Sequence, residues 1–343
     1  MIVNQFPDRT VLVEGKEYLY FGGTSYLGMA TQQDFIASLQ QNLLVWGSSY
    51  GSSRNANIKL SVYDAFEKLF AEQVGAEASL VISSGTLAGR LVTEHLSKTI
   101  TTFYYYPKTH PAVLMESSKP IFVDGNLHPN LLNTAEEEIV ITADAILGLE
   151  TEPTSFDFLN HISPSKKITL IIDESHSLGI VGDNGRGVFN AINSAKIHRK
   201  IMVSSLGKAL ALPSGIIASD TLFIDQLKEE ALYVSSSGAN PAYLATYVET
   251  QHIYNTQKEK LKKNLQFVDT HLKKKQKLHF TKNYPVIYSN SDTIFGNLHR
   301  QGIIIASFKY PTYKNPMNRI VITANHTKED LKKLVELLNS EEL

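Results

Sequence analysis

Short apolar runs with no strict polar alternation recur through the middle of this chain, at 78–82, 102–106, 121–123, 139–142, 168–173, 201–204 and 215–218. A strand with one face in water alternates apolar and polar residues. A run that is apolar throughout suits a strand covered on both faces, as in a parallel sheet. Stretches of helical spacing separate the runs. Val62, Phe66, Leu69, Phe70 and Val74 share one helical face, and Gly75 follows as a stop signal. Further helices are predicted at 32–46 and 87–97. Strands alternating with helices predict an α/β fold, a mostly parallel central sheet flanked by helices.

The length, 343 residues, leaves room for about two domains. The sequence predicts an N-terminal segment, 1–45, that opens on a hairpin around Glu14-Gly15-Lys16. A large α/β domain over 46–240 follows, and then a smaller C-terminal α+β domain over 241–343. The last part reads as one long helix across 241–275, strands at 279–280, 285–288, 303–308 and 319–323, and a closing helix at 328–339. That helix is opened by Thr327 with Asp330 three residues on, a capping-box pattern.

Lys plus Arg number 33 and Asp plus Glu 34, a net charge of −1, which argues against nucleic acid or an anionic membrane as partner. The lysines at 258–275 read as a solvated helix face. The absence of cysteine excludes disulfides, cysteine-held metal and a thiol nucleophile, and no metal is predicted. No apolar run approaches the roughly 18 residues of a membrane helix. The opening lacks a basic stretch followed by an apolar one, so no signal peptide is expected and the cytoplasm is the default location.

Four features bear chemistry. Lys208 lies past the end of an apolar run, inside Ser204-Ser205-Leu206-Gly207-Lys208, with Ala209-Leu210-Ala211-Leu212 after it. An apolar setting favours the neutral amine that imine formation needs. Asp173 ends another apolar run, at the sheet edge where α/β proteins bind ligands, and His176 follows it. Ser84-Gly85-Thr86 sits where a strand gives way to a helix, a place for an anion. His110 follows the aromatic run 103–106. Each has a bland reading: a snorkelling lysine, a capping Asp, an empty turn, a structural His. Together they suit pyridoxal 5′-phosphate, with its phosphate at the helix start and an imidazole on its ring. A carboxylate would face its pyridine nitrogen, and the lysine would hold its aldehyde. Gly182-x-x-Gly185-x-Gly187 does not spell a nucleotide-binding fingerprint.

At these residues the chain resembles the α-oxoamine synthases, fold-type I pyridoxal-phosphate enzymes that include 8-amino-7-oxononanoate synthase and glycine C-acetyltransferase. The matching stretches run from about residue 14 to the end. They are Ser25-Tyr26-Leu27-Gly28-Met29, Gly51-Ser52-Ser53-Arg54 with Tyr63-x-x-Phe66-Glu67, and Asp173-Glu174-Ser175-His176-Ser177-Leu178-Gly179 with Gly185-Arg186-Gly187. Ser204–Lys208 and Arg319 to Thr327 complete the set. The resemblance implies that Lys208 binds the cofactor aldehyde and moves the α-proton, Asp173 pairs with the pyridinium and His176 meets the ring oxygen. It further implies that His110 stacks on the ring and that Gly85, Thr86 and Ser205 hold the phosphate. Ser237 would reach a second subunit's phosphate, which implies a homodimer. Arg319 would clamp the amino-acid carboxylate, and Ser25 would lie at the substrate. The implied reaction is a decarboxylative C-acyl transfer from an acyl-CoA or acyl-carrier thioester to alanine or glycine. Ser25, Tyr63, Gly148 and Thr109-His110-Pro111 depart from the family pattern, around the substrates more than at the cofactor anchors. Two readings stay beside it: another fold-type I reaction such as transamination, and a degenerate homologue without catalysis.

Overall fold

The computed structural model describes residues 1–193, 195–273, 278–308 and 317–340. Seven strands form the large sheet in the order Ala78–Ile82, Gly215–Ser219, Ile197–Ser205, Lys166–Asp173, Glu137–Asp144, Thr102–Tyr105 and Lys119–Pro120. Every neighbouring pair is parallel except those made by Gly215–Ser219, which runs against both its neighbours. Successive residues enter two different cores. Ile139, Ile141, Leu170 and Ile172 join one with Phe66 and Phe70, whereas Val140, Ile171, Ile201 and Val203 join another with Leu91 and Phe223. That two-sided burial is why the runs are apolar throughout.

The helix Ser61–Val74 buries Val62, Phe66, Phe70 and Val74 and ends at Gly75, whose φ of 75° lies in the left-handed region. The helices Gln33–Trp46 and Gly85–Ser97 match their predicted places to within two residues.

A second sheet of five strands has the order Thr10–Val13, Lys16–Phe21, Ile303–Phe308, Met317–Val321 and Val286–Ser289. The opening hairpin thus supplies two of the five strands, the other three lying near the end of the chain, and Leu19 pairs in parallel with Ile303. The closing helix is Lys328–Asn339, and Thr327 and Asp330 form the predicted capping box.

Some expectations change. The run at 121–123 does not enter the large sheet: Phe122–Val123 pairs only with Asn126–Leu127, across a turn with Asp124 and Gly125 at positive φ. The helix placed at 241–275 is two, Pro241–Glu249 and Gln251–His271. Thr250 breaks the ladder at φ −108°, ψ 25°, with its hydroxyl donating to the Thr246 carbonyl. Residues 274 and 275 of that range lie outside the described residues. At 279–280 there is a single bridge from His279 to Tyr288 rather than a strand. Among the described residues no helix is long and apolar enough to cross a membrane.

Candidate active site

The parallel register sets two carboxylates side by side at the carboxyl edge of the large sheet. Asp144 pairs with Asp173, and Val203 pairs with Asp173 from the other side. Just past Val203 the chain leaves the sheet, loops through 206–214 and returns as Gly215–Ser219. The loop is tied off by Leu206 N–H to the Ser214 carbonyl, 2.9 Å, and Leu212 N–H to the Leu206 carbonyl, 3.0 Å. Lys208 sits in it, half-buried, with no ion-pair partner among the described residues. Burial pushes its amine down from the usual lysine range, Asp173 and Asp144 oppose that, and Arg319 adds to it. Burial pushes Asp144 well up, and neighbouring Asp173 pushes it further.

Beside the lysine loop lies the start of the helix Gly85–Ser97. The Ser84 hydroxyl caps Leu87 N–H at 3.2 Å, and the Ser84 carbonyl takes Ala88 N–H. The N–H groups of Gly85 and Thr86 have no intrahelical carbonyl to reach. A Cβ on Gly85 would stand 2.7 Å from the Ser205 backbone, so glycine is what lets the helix start and the lysine loop touch. Gly215 does the same beneath it, because a Cβ there would strike the Ser84 carbonyl. Ser205 is fixed by its N–H to the Ser175 hydroxyl, 2.8 Å, and Ser175 N–H in turn donates to Asp173 at 2.8 Å.

His110 is exposed, but its backbone N–H donates to Asp144 at 3.1 Å, and its Nδ1 accepts from Ala112 N–H. His176 is turned toward Tyr26, with Nδ1 3.0 Å from the phenol oxygen. Burial holds the His176 ring well below its usual pKa, helped by Lys208, Arg319 and His110, so it is neutral. Arg319 enters from the second sheet. One of its terminal nitrogens donates to the Gly23 carbonyl at 3.1 Å, while Nε is buried with no hydrogen-bond partner among the described residues. Ser25 lies in the turn below it, its carbonyl closing onto Gly28 N–H. The fold therefore gathers Lys208, Asp173, His176, Arg319, Ser205 and the Gly85 turn at one cleft. Ser237 stands apart, exposed on the loop after the short helix Ala231–Ser235.

Asp144 went unnoticed in the sequence, although it ends an apolar run just as Asp173 does. Other motif residues turn out to be scaffold. Arg54 forms a two-pronged ion pair with Glu67, 2.5 and 3.2 Å, and Glu67 also accepts Val81 N–H, 2.8 Å, locking helix to sheet. Glu174 takes the N–H groups of Val188 and Phe189 and the Ser177 hydroxyl, and burial raises it to about 7. Gly187 leaves it room, since a Cβ there would strike that carboxylate. His326 accepts Thr323 N–H at Nδ1, 2.9 Å, which leaves Nε2–H to donate to the Tyr20 carbonyl at 3.0 Å.

The model of the family described as aminotransferase class I and II matches residues 154–338, more than half of the chain, and the DegT/DnrJ/EryC1/StrS aminotransferase family model matches 56–195. A protein of Petrotoga mobilis named 8-amino-7-oxononanoate synthase is 24% identical over 347 residues, covering 93% of this chain and 87% of its own. A serine palmitoyltransferase of Sphingobacterium spiritivorum is 26% identical over 263 residues, 74% of this chain and 65% of its own. The solved serine palmitoyltransferase of S. paucimobilis, with bound PLP-myriocin, superposes with a TM-score of 0.79 at 18% identity, over 98% of this chain and 90% of that one. The site and these matches together place the chain: it belongs to the aminotransferase class I and II family, with the fold-type I architecture and a pyridoxal-phosphate cofactor, and is similar to the α-oxoamine synthases.

Proposed function

We propose that this enzyme joins alanine or glycine to the acyl group of a coenzyme A or carrier-protein thioester with loss of carbon dioxide, as an 8-amino-7-oxononanoate synthase-like acyltransferase. The observation that carries the reading is Lys208, a half-buried amine without an ion-pair partner among the described residues, facing two carboxylates and an arginine. The residues present fit pyridoxal phosphate. The free N–H groups of Gly85 and Thr86 and the Ser205 hydroxyl suit a phosphate, and the unpartnered Nε of Arg319 suits a carboxylate.

Bound pyridoxal phosphate supplies a sink for the electron pair left at the amino acid's α-carbon. Burial disfavours the charge on Lys208 Nζ and so favours the neutral amine that would react with the cofactor aldehyde. Free of that link, the same amine would be the base for the α-proton. Asp173 would hold the proton on the pyridine nitrogen, His176 would donate to the ring oxygen, and His110 would lie on the ring. Arg319 orients the α-carboxylate in two-pronged fashion, and Ser25 borders the amino acid. The α-carbon then bonds to the thioester carbonyl carbon as the thiolate leaves, the carboxylate departs as carbon dioxide, and the α-carbon takes back a proton from Lys208.

Ser237 is assigned to the phosphate of a second copy. In support, Leu44, Val45, Ile58 and Val234 are exposed apolar side chains on segments joined by the bonds from Asn240 to the Ser48 carbonyl and from Ser53 to the Val234 carbonyl.

Lys208→Ala is expected to abolish the visible absorbance of the cofactor-loaded protein together with turnover. An unchanged yellow colour with undiminished thiol release would refute the assignment. The names of the relatives add serine to the amino acids to be tried. A matrix of alanine, glycine and serine against acyl-CoAs, read as free thiol, identifies the pair. Keto-acid-dependent amino transfer without thiol release would instead establish an aminotransferase.

A further inference from the structure

Two motifs of which the proposed chemistry uses Ser25 alone, Ser25-Tyr26-Leu27-Gly28-Met29 and Ala324-Asn325-His326, dock on each other. Ala324 N–H donates to the Tyr26 carbonyl at 3.0 Å, and Asn325 donates to the Gly28 carbonyl at 3.2 Å. A Cβ on Gly28 would strike the Asn325 side chain. Gln257 fixes the Leu27 carbonyl at 2.8 Å. The backbone that carries Tyr26 is thus held from the far end of the chain, and its side chain is 1% exposed. The phenol so held points at Nδ1 of His176, 3.0 Å away.

We infer that Tyr26 is a positioning residue: its hydroxyl donates to Nδ1 of His176, which places the single ring hydrogen on Nε2, where it can be given to the cofactor. The inference rests on the proposed contact between His176 and the ring oxygen. A neutral imidazole has one donor and one acceptor nitrogen, so a donor held against Nδ1 selects the other nitrogen as the hydrogen-bearing one. Tyr284 backs the arrangement. Its buried ring packs 6.2 Å from that of Tyr26 and helps to fix the phenol in place. Tyr26 carries this ordering from the C-terminal part of the chain into the large sheet.

The test is nitrogen-15 spectroscopy of the full-length protein labelled at histidine, with and without pyridoxal phosphate. The His176 signals are identified by their loss in His176→Gln. In the wild type, Nδ1 is expected to show the unprotonated shift and Nε2 the protonated one. Tyr26→Phe is expected to mix the two forms and to lower kcat/KM about threefold to tenfold, the size of one ordinary hydrogen bond. A proton on Nδ1 in the wild type, or a Tyr26→Phe spectrum identical to it, overturns the inference. Pyridoxal phosphate is expected to move Nε2. If it moves neither nitrogen, the contact of His176 with the cofactor fails, while the tautomer read in cofactor-free protein still decides the role of Tyr26.

Discussion

The two sheets reach the same cleft by opposite routes. In the large sheet each contributing group sits at the end of its own strand or the start of the next helix: Asp144, Asp173, the Lys208 loop and the Ser84 turn. The five-stranded sheet is instead brought to the cleft and held by long-range bonds. Arg319 reaches Gly23 across 296 positions, His326 reaches Tyr20 across 306, and Arg9 reaches Asp330 across 321. The first half of the site is built by local strand-to-loop geometry, and the second exists only once the chain ends have met. A change in the large sheet should therefore strike chemistry directly. A change in the smaller sheet should strike positioning and stability first.

The hardest test of that contrast is Gly85→Ala. Its Cβ would force the helix start away from Ser205, and losing one or two charge-assisted bonds to phosphate should weaken cofactor binding about 10- to 100-fold. An unchanged affinity in a cofactor titration would show that the two segments need not touch. Arg319→Lys keeps the charge but loses the planar fork, so KM for the amino acid should rise about tenfold with kcat changed less. A fall confined to kcat would move Arg319 into the chemistry and blur the contrast.

His326 tests the smaller sheet alone. Burial holds it down at about 4, from 6.5 in the unfolded chain. Unfolding takes up a proton in that interval, so its contribution to stability is complete above 6.5 and is lost as pH falls toward 4. Urea midpoints of the wild type should drop across that window, and those of His326→Asn should drop less. Equal slopes would remove His326 from the account. Arg9→Ala should have the least effect, about 0.5 kcal/mol, because Arg9 is 40% exposed and Asp330 keeps its capping role without it. A loss several times larger in the same urea series would mean that the opening strand depends on that pair.

Legibility followed the same division. The strands ending in Asp173 and Ser205, the helix stop at Gly75 and the capping box at Thr327 were readable because each is set by neighbours in sequence. Asp144 was readable by the same rule and was passed over. The break at Thr250 was not readable, because no Gly or Pro stands there to mark it. Tyr26 was visible only as part of a resembling motif, because its partner lies 150 positions away.

By itself, then, the sequence determined a two-faced parallel sheet, since strands buried on both sides must be apolar throughout, and it determined which residues stand at that sheet's carboxyl edge. The tertiary structure alone decided that Asp144 lies beside Asp173, that Arg319 and His176 meet across the chain, and that the opening hairpin belongs to the closing sheet. Strand register and long-range hydrogen bonds are choices among partners that no local pattern specifies, so they are settled only when the segments pack.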